Sequence, residues 1–436
     1  MLCLVLLPRW LLLRREKAGH SLSRSRLPAW VPDLAVLLLC LTGLLLFPVH
    51  LRSPLLHGTI RSYGYINYPC LLAVITCLLC CRRWTVVEAV CFAVWFSLSV
   101  PLAASGDKIP HVRFAAAFCQ TVVPLFLVLH RMDPSSRRKL LRRSVLVFDG
   151  FVLLLLVLGI EEYLSHKALL TLLRDWLAGM GLKTNEFDLY LEDYRFGFIW
   201  GHPLTNALIF NSFFALNMVY LRASGSRIPA PLLFVPAVAG VLLCSSKTGI
   251  AVCFLLLLIS CWRYKKWLLL VVPVLLVMYF FGAFNDIITR FTSTTLTTER
   301  AEQLGEYLAS GINPLRWFSG YGPNGALAKS SPVYIYNDAF EFSALMFAYS
   351  YGILFAVLHI GGLFAYVTWR FLRKRQWLPW LCFSLVFAEI NTYNGYSLRN
   401  QDVCFFFCLL VMLMLNIADD SGGTPREWPP ERTVDA

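Results

Sequence analysis

From residue 34 to residue 416 the chain is written mostly as apolar runs, separated by short segments rich in Lys, Arg, Pro or Gly. The runs cover 34–49, 66–81, 84–104, 112–130, 144–164, 198–221, 229–244, 248–262, 267–284, 341–369, 377–392 and 403–416. With their flanks most of them match a hydrocarbon core of ~30 Å. In lipid a backbone must satisfy its own polar groups, and within one segment only a helix does so. The fold class expected is therefore an all-α polytopic membrane protein with about twelve transmembrane helices. Composition agrees, because only 15% of the 436 residues are charged against 58% hydrophobic, too few charges to cover a soluble globule.

A net charge of +13 would point to nucleic acid in a soluble protein. Here the basic residues stand between apolar runs, where they orient helices, so the bilayer and not nucleic acid is the expected partner. With residues 1–30 placed in the cytoplasm, every second connection is basic: Arg82 and Arg83; Arg131, Arg137, Arg138, Lys139, Arg142 and Arg143; Arg222 and Arg227; Arg263, Lys265 and Lys266; Arg370, Arg373, Lys374 and Arg375. Both termini are then cytoplasmic, with a membrane domain over 31–418 and a disordered tail over 419–436. Residues 1–13, broken by Pro8 and Arg9, lack the basic start and small-residue cleavage site of a signal peptide. The two halves show no internal repeat, which speaks against the commonest transporter plans. All 14 cysteines lie in or beside apolar runs, so no disulfide framework is implied. Cys77, Cys80 and Cys81 have no His nearby, and neither a metal site nor a cofactor is expected.

Two connections on the other side are long, 165–197 and 285–340, and the second is expected to be partly helical, between spans nine and ten. Polar stretches of that size beside a lipid-facing scaffold are commonly functional. At the end of the first, Arg195 precedes an apolar run that contains Gly201, His202 and Pro203, irregular backbone that a bilayer tolerates only under protein or a wet cavity. Arg195 suits a phosphate held through two charge-assisted bonds, and His202 would line the same cavity. Lys247, in the tight Ser245 to Gly249 hairpin, stands near the same surface, where anchoring and anion binding both remain open.

In the second connection, Thr297 or Thr298 is expected to cap a short helix ending at Gly311 and lying over the membrane face. Arg300 falls in its first turn, where the helix dipole favours acids, so a ligand or an acidic neighbour would explain it. The Gly320 to Gly325 run reads as a turn whose amides could face phosphate or sugar. Tyr336 and Asn337 are candidate sugar contacts. Asp338 and Glu341, one helical turn apart, are candidate general bases, with capping of the next helix as the alternative role for Asp338. Asp149 and Glu389, embedded in apolar runs, are read as structural partners of buried polar groups or as ends of helices, and neither is placed in the site.

Taken together, Arg195 to Pro203, Ser246-Lys247-Thr248-Gly249, Thr298-Glu299-Arg300, Asn313-Pro314 leading to Gly320-Tyr321-Gly322, and Tyr336-Asn337 to Glu341 followed by Tyr351-Gly352-Ile353 resemble the O-antigen ligase and O-antigen, capsule or exopolysaccharide polymerase superfamily. The resemblance spans about 194–364. It implies a metal-independent, inverting glycosyl transfer at the outer face of the bacterial inner membrane, from an undecaprenyl-diphosphate-linked oligosaccharide. Arg195 and Arg300 would hold the diphosphate. A chain-length-determining membrane protein is a candidate partner. Two departures matter: Lys247 stands where the family commonly has Arg, and Tyr336 where a His usually precedes Asn. The second leaves the base open among Asp338, Glu341 and His202, and it favours polymerase over ligase. A lipid-linked glycan transporter or flippase is the alternative of another class.

Overall fold

The computed structural model describes residues 28, 30–48, 52, 67–80, 86, 90, 93–94, 97, 121–181, 191, 195–197, 200, 202–225, 229–261, 268–280, 282, 284–285, 288–289, 292, 305, 309, 314–321, 342–393, 395–396 and 400–420. Among the described residues every regular element is helical. In chain order they are α1 (Trp30–Leu41, prolonged by a π turn Thr42–Leu46), α2 (Tyr68–Cys80), α3 (Leu125–Val128), α4 (Pro134–Leu164), α5 (Ala168–Gly179) and α6 (Pro203–Ser224). There follow α7 (Phe234–Leu243, led in by a 3-10 turn Ala230–Leu233), α8 (Lys247–Cys261), α9 (Leu268–Phe280), α10 (Ser343–Tyr351), α11 (Ile353–Arg373), α12 (Trp377–Asn391) and α13 (Gln401–Asp420).

Of these, α4, α6, α11 and α13 are long and apolar enough to cross a membrane, and α1 with its π turn, α2, α7 with its 3-10 turn, α8 and α12 are shorter apolar helices. The chain is accordingly a helical membrane protein. Spans 84–104 and 112–130 lie mostly outside the described residues, as do both terminal segments. The bundle is built around α6 and α13, whose apolar windows are 83% and 94% buried, against 33% for α4 and 39% for α11. The last two therefore present their remaining surface to lipid. Since lipid tails are as apolar as leucine, helix association relies on close packing. At Gly240 on α7 a Cβ would lie 2.4 Å from the Phe210 ring of α6, so only glycine admits that ring.

Four expectations change. The basic stretch 131–143 is not a loop, because Pro134 occupies the first helical position and Asp133 accepts a cap bond from the Ser135 amide, so the charges ride on the first turns of α4. The run 198–221 becomes helical only at Pro203, which again takes the first position and interrupts nothing. The connection 165–197 is not wholly irregular, for it holds α5, whose faces alternate buried Leu170 and Leu177 with exposed Leu172 and Trp176. The run 341–369 is broken at Gly352 (φ 99°, ψ 157°), leaving the 21 residues of α11 as the crossing segment, ~31 Å long.

Polar pairs fasten the bundle at both ends. At one, Asp33 of α1 accepts from the Asp133 amide (2.6 Å) and lies 3.0 Å from His130 Nε2. Asn416 of α13 accepts from the Met132 amide (2.8 Å) and donates to His130 O (3.0 Å). Asp419 binds Arg370 (2.8 Å) and Lys374 (2.6 Å). Basic segments 131–143 and 370–375 thus meet at one end, as the alternation of charged connections predicts. At the opposite end Arg52 grips Asp402 through two bonds of 3.0 Å, and both side chains are buried. Asn67 donates to Asp402 (3.1 Å) and to Gly43 O in the π turn (3.1 Å), while its own oxygen caps α2 at Cys70.

Removing one member of a buried pair strands the other charge, which costs about 3–5 kcal/mol. Arg52→Ala is expected to lower the thermal unfolding midpoint of the detergent-solubilised protein by that equivalent. Arg52→Met combined with Asp402→Leu is expected to recover most of the loss, and a single variant that melts like the parent would contradict the role given to this pair.

Candidate functional site

The end opposite the basic segments gathers Arg195, His202 and Lys247. Arg195 is half-buried and precedes the short stretch Phe196-Gly197, which is held on both sides: the Phe196 amide donates to Leu243 O at the end of α7 (3.0 Å), and Asn206 of α6 donates to Phe196 O (3.2 Å). The Arg195 carbonyl accepts from Lys167 Nζ (3.4 Å), itself 3.8 Å from the buried Glu162 carboxylate. The guanidinium therefore leaves a backbone fixed by three elements. Beside it, Leu243 leads into the turn that ends α7, where Ser245 takes a left-handed conformation (φ 46°) and Ser246 Oγ caps α8 at the Gly249 amide (3.0 Å). Lys247 is the first residue of α8. Arg195, Glu162 and Glu389 all lie near enough to act electrostatically on Cys244, three positions before Lys247.

His202 is the N-cap of α6, with extended backbone and its Nδ1 accepting from the Leu204 amide (3.2 Å). A ring nitrogen that accepts carries no proton, so in the neutral imidazole the proton sits on Nε2. With Nδ1 occupied by the cap and Nε2 carrying the proton, this geometry does not suit His202 to the general-base role. Its ring stacks on Tyr393 (6.3 Å between centroids, 4° between planes) at the end of α12. Thr205 of α6 and Glu389 of α12 flank the Tyr393 phenol, and Ser343 Oγ, at the start of α10, donates to the Tyr393 carbonyl (3.2 Å).

Below this layer, the Glu389 carboxylate is buried and accepts from Asn211 Nδ2 with both oxygens (2.9 Å each); the same amide reaches Gly249 O of α8 (2.9 Å). Among the described residues no cation pairs with Glu389. Asp149, by contrast, accepts from Asn217 (2.7 Å) further along α6. Glu389, Asn211, Thr205 and Tyr393 were not expected around the site. The available signal was an acid in one apolar run and three asparagines in another, since polar groups inside a bilayer are expensive and therefore informative.

The break at Gly352 carries part of the long connection. Freed backbone groups there are bonded by segment 314–321: the Ile353 amide donates to Arg316 O (2.9 Å), the Leu354 amide to Trp317 O (3.0 Å), and the Tyr321 amide to Tyr349 O (2.8 Å). Gly320 permits the contact, for a Cβ would lie 2.1 Å from the Ser350 carbonyl carbon. The Tyr321 amide is thereby occupied and is not open to a phosphate. Arg316 lies over the Tyr321 ring (4.2 Å), whose hydroxyl donates to Pro314 O (2.8 Å). Around the break, Phe347 and His359 pack on Tyr396 at 6.2 and 5.4 Å, which links this docking point to the Tyr393 turn.

Arg300, Tyr336, Asn337, Asp338 and Glu341 lie outside the described residues, as do most of the expected helix from 298 to 311 and the turn from Gly322 to Gly325. No family model, curated protein or solved structure matches the chain.

Loss of an N-cap costs about 1 kcal/mol. His202→Asn, which keeps a capping oxygen, is expected to melt near the parent, and His202→Ala about that much lower. Gly320→Val is expected to undock 314–321 and raise the rate of limited proteolysis within that segment, with the melting of the bundle little changed; unaltered cleavage would refute the docking.

Proposed function

We propose that the chain is a membrane glycosyltransferase that polymerises undecaprenyl-diphosphate-linked oligosaccharide repeats at the outer face of the bacterial inner membrane, with both termini in the cytoplasm. The observation that supports this reading best is that two cations remote in sequence stand beside one turn. Arg195 and Lys247 flank one hairpin tip, at the end of the bundle away from the basic segments, with His202 at the start of the neighbouring helix α6. Such an end, capped by α5, α10 and segment 314–321, suits a substrate whose lipid tail stays in the bilayer while its diphosphate and glycan stand outside.

In the proposed reaction the acceptor hydroxyl attacks the anomeric carbon from the face opposite the diphosphate. The carbon–oxygen bond to the carrier breaks, the electron pair leaves with undecaprenyl diphosphate, and the hydroxyl proton passes to Asp338 or Glu341. Arg195 and Arg300 stabilise charge that develops on the leaving group, an effect commonly worth ~10²-fold or more in rate. Lys247 adds a point charge, and His202, Tyr336 and Asn337 bind sugar. The assignment of Asp338 and Glu341 as bases is supported by the cap, which occupies the Nδ1 lone pair of His202.

Purified protein supplied with lipid-linked repeats is expected to form a ladder of chain lengths. Arg195→Ala and Arg300→Ala are each expected to slow it by ~10²-fold or more. A ladder that survives both substitutions would overturn the site. Transfer to lipid A core without a ladder would make the protein a ligase, and translocation of the lipid without extension would make it a flippase.

A further inference from the structure

The outward face of α4 changes chemistry along its length. Residues 139, 143, 146, 150, 153, 157, 160 and 164 follow one another at three- or four-residue steps and all are exposed, so they form one stripe along the helix. Its first part is basic, with Arg138 and Arg142 beside Lys139 and Arg143; from Leu146 to Leu164 it is apolar, with Leu146, Val157 and Leu164 exposed by 58%, 62% and 71%. That apolar part rises ~27 Å, close to the thickness of a hydrocarbon core. The stripe therefore sets the depth of the helix, and the four cations stand just beyond the hydrocarbon, level with lipid headgroups.

These cations differ from their neighbours. Arg137, one position earlier, donates to Met132 O (2.9 Å), and Arg370 and Lys374 share Asp419. Among the described residues, the side chains of Arg138, Lys139, Arg142 and Arg143 make no hydrogen bond or ion pair. Four like charges within two turns repel one another, and no described residue of the fold pairs with them. An anionic partner would relieve that repulsion, and the apolar stripe directly beneath the cations favours one at the bilayer surface.

We propose that Arg138, Lys139, Arg142 and Arg143 form a binding site for anionic phospholipid headgroups in the leaflet at the basic end of the bundle. The guanidinium groups take phosphate oxygens in pairs and Lys139 adds a point charge. This site is separate from Arg195, His202 and Lys247 and does not depend on the reaction proposed for them.

The test uses the full-length protein in nanodiscs of phosphatidylcholine with a minor share of phosphatidylglycerol, measuring enrichment of phosphatidylglycerol around the protein by energy transfer to a labelled headgroup. The parent is expected to enrich it, less so as salt is raised. A basic residue near an anionic surface contributes roughly fivefold, so R138Q/K139Q/R142Q/R143Q is expected to lose at least about tenfold. The pairs R138Q/K139Q and R142Q/R143Q should each lose part, and R174Q, at the opposite end, nothing. Should the quadruple variant fail to insert, the pairs and the salt titration of the parent decide. Enrichment unchanged in the variants, or absent from the parent, overturns the proposal. So does displacement of the lipid by inorganic phosphate or a duplex oligonucleotide at concentrations too low to screen charge, which would assign the patch to a soluble anion.

Discussion

A polar group inside a bilayer has no water to turn to, and the arrangement of this protein follows from that constraint. Arg52, Asn67 and Asp402 show how it is met. Two bonds join the guanidinium to the carboxylate, Asn67 adds a third, and the amide also reaches the carbonyl of Gly43. The π turn at Thr42–Leu46 shifts the local bonding pattern of α1, and Gly43 O is met from another helix. One cluster thus joins the ends of α1 and the starts of α2 and α13. The Asp33, His130 and Asn416 cluster does the same at the other end. Between them α6 and α13 pass through the middle, where Asn211 of α6 meets the Glu389 carboxylate and Gly249 O.

The same rule explains the break before α11. A helix interrupted by an extended glycine leaves amides and carbonyls without partners. Segment 314–321 supplies them strand-fashion, so a piece of the long polar connection is bound to the membrane domain through backbone hydrogen bonds, with Leu315 packed against the core. Because main-chain bonding takes little notice of side-chain identity, the contact leaves Arg316, Trp317 and Phe318 exposed, with Arg316 resting on Tyr321. What constrains sequence there is the space at Gly320 and the conformation at Gly352.

At the candidate site, structural and chemical roles overlap. His202 both starts α6 and, through that bond, fixes which of its nitrogens carries a proton. Arg195 is set by Phe196, which bridges α6 and α7, and Lys247 by the serine cap on α8. Each of the three was recognisable beforehand as a polar residue at the edge of an apolar run. The way they are held was not, because the holding groups are Leu243 and Phe196 backbone atoms and an asparagine amide, none of which has a distinctive sequence pattern. Glu389 was visible as an acid in an apolar run, yet its closeness to the Tyr393 turn emerges only from the packing of α12 against α6 and α8.

Apolar run lengths are enough to read a helical membrane protein and to place most of its described helices to within a few residues, and the charged connections are enough to bring 131–143 and 370–375 to one end. Those properties depend on apolar length, on proline and capping residues, and on the alternation of charge, all of which act over a few neighbouring residues. Helix packing is what brings Arg52 to Asp402 across the whole chain and Asn211 to Glu389, fills the gap at Gly352 with 314–321, and leaves four cations on α4 facing outward. Pairing of that kind depends on helix rotation and on which helices are neighbours. Apolar faces that all prefer lipid and protein about equally do not specify either, so no local pattern encodes it.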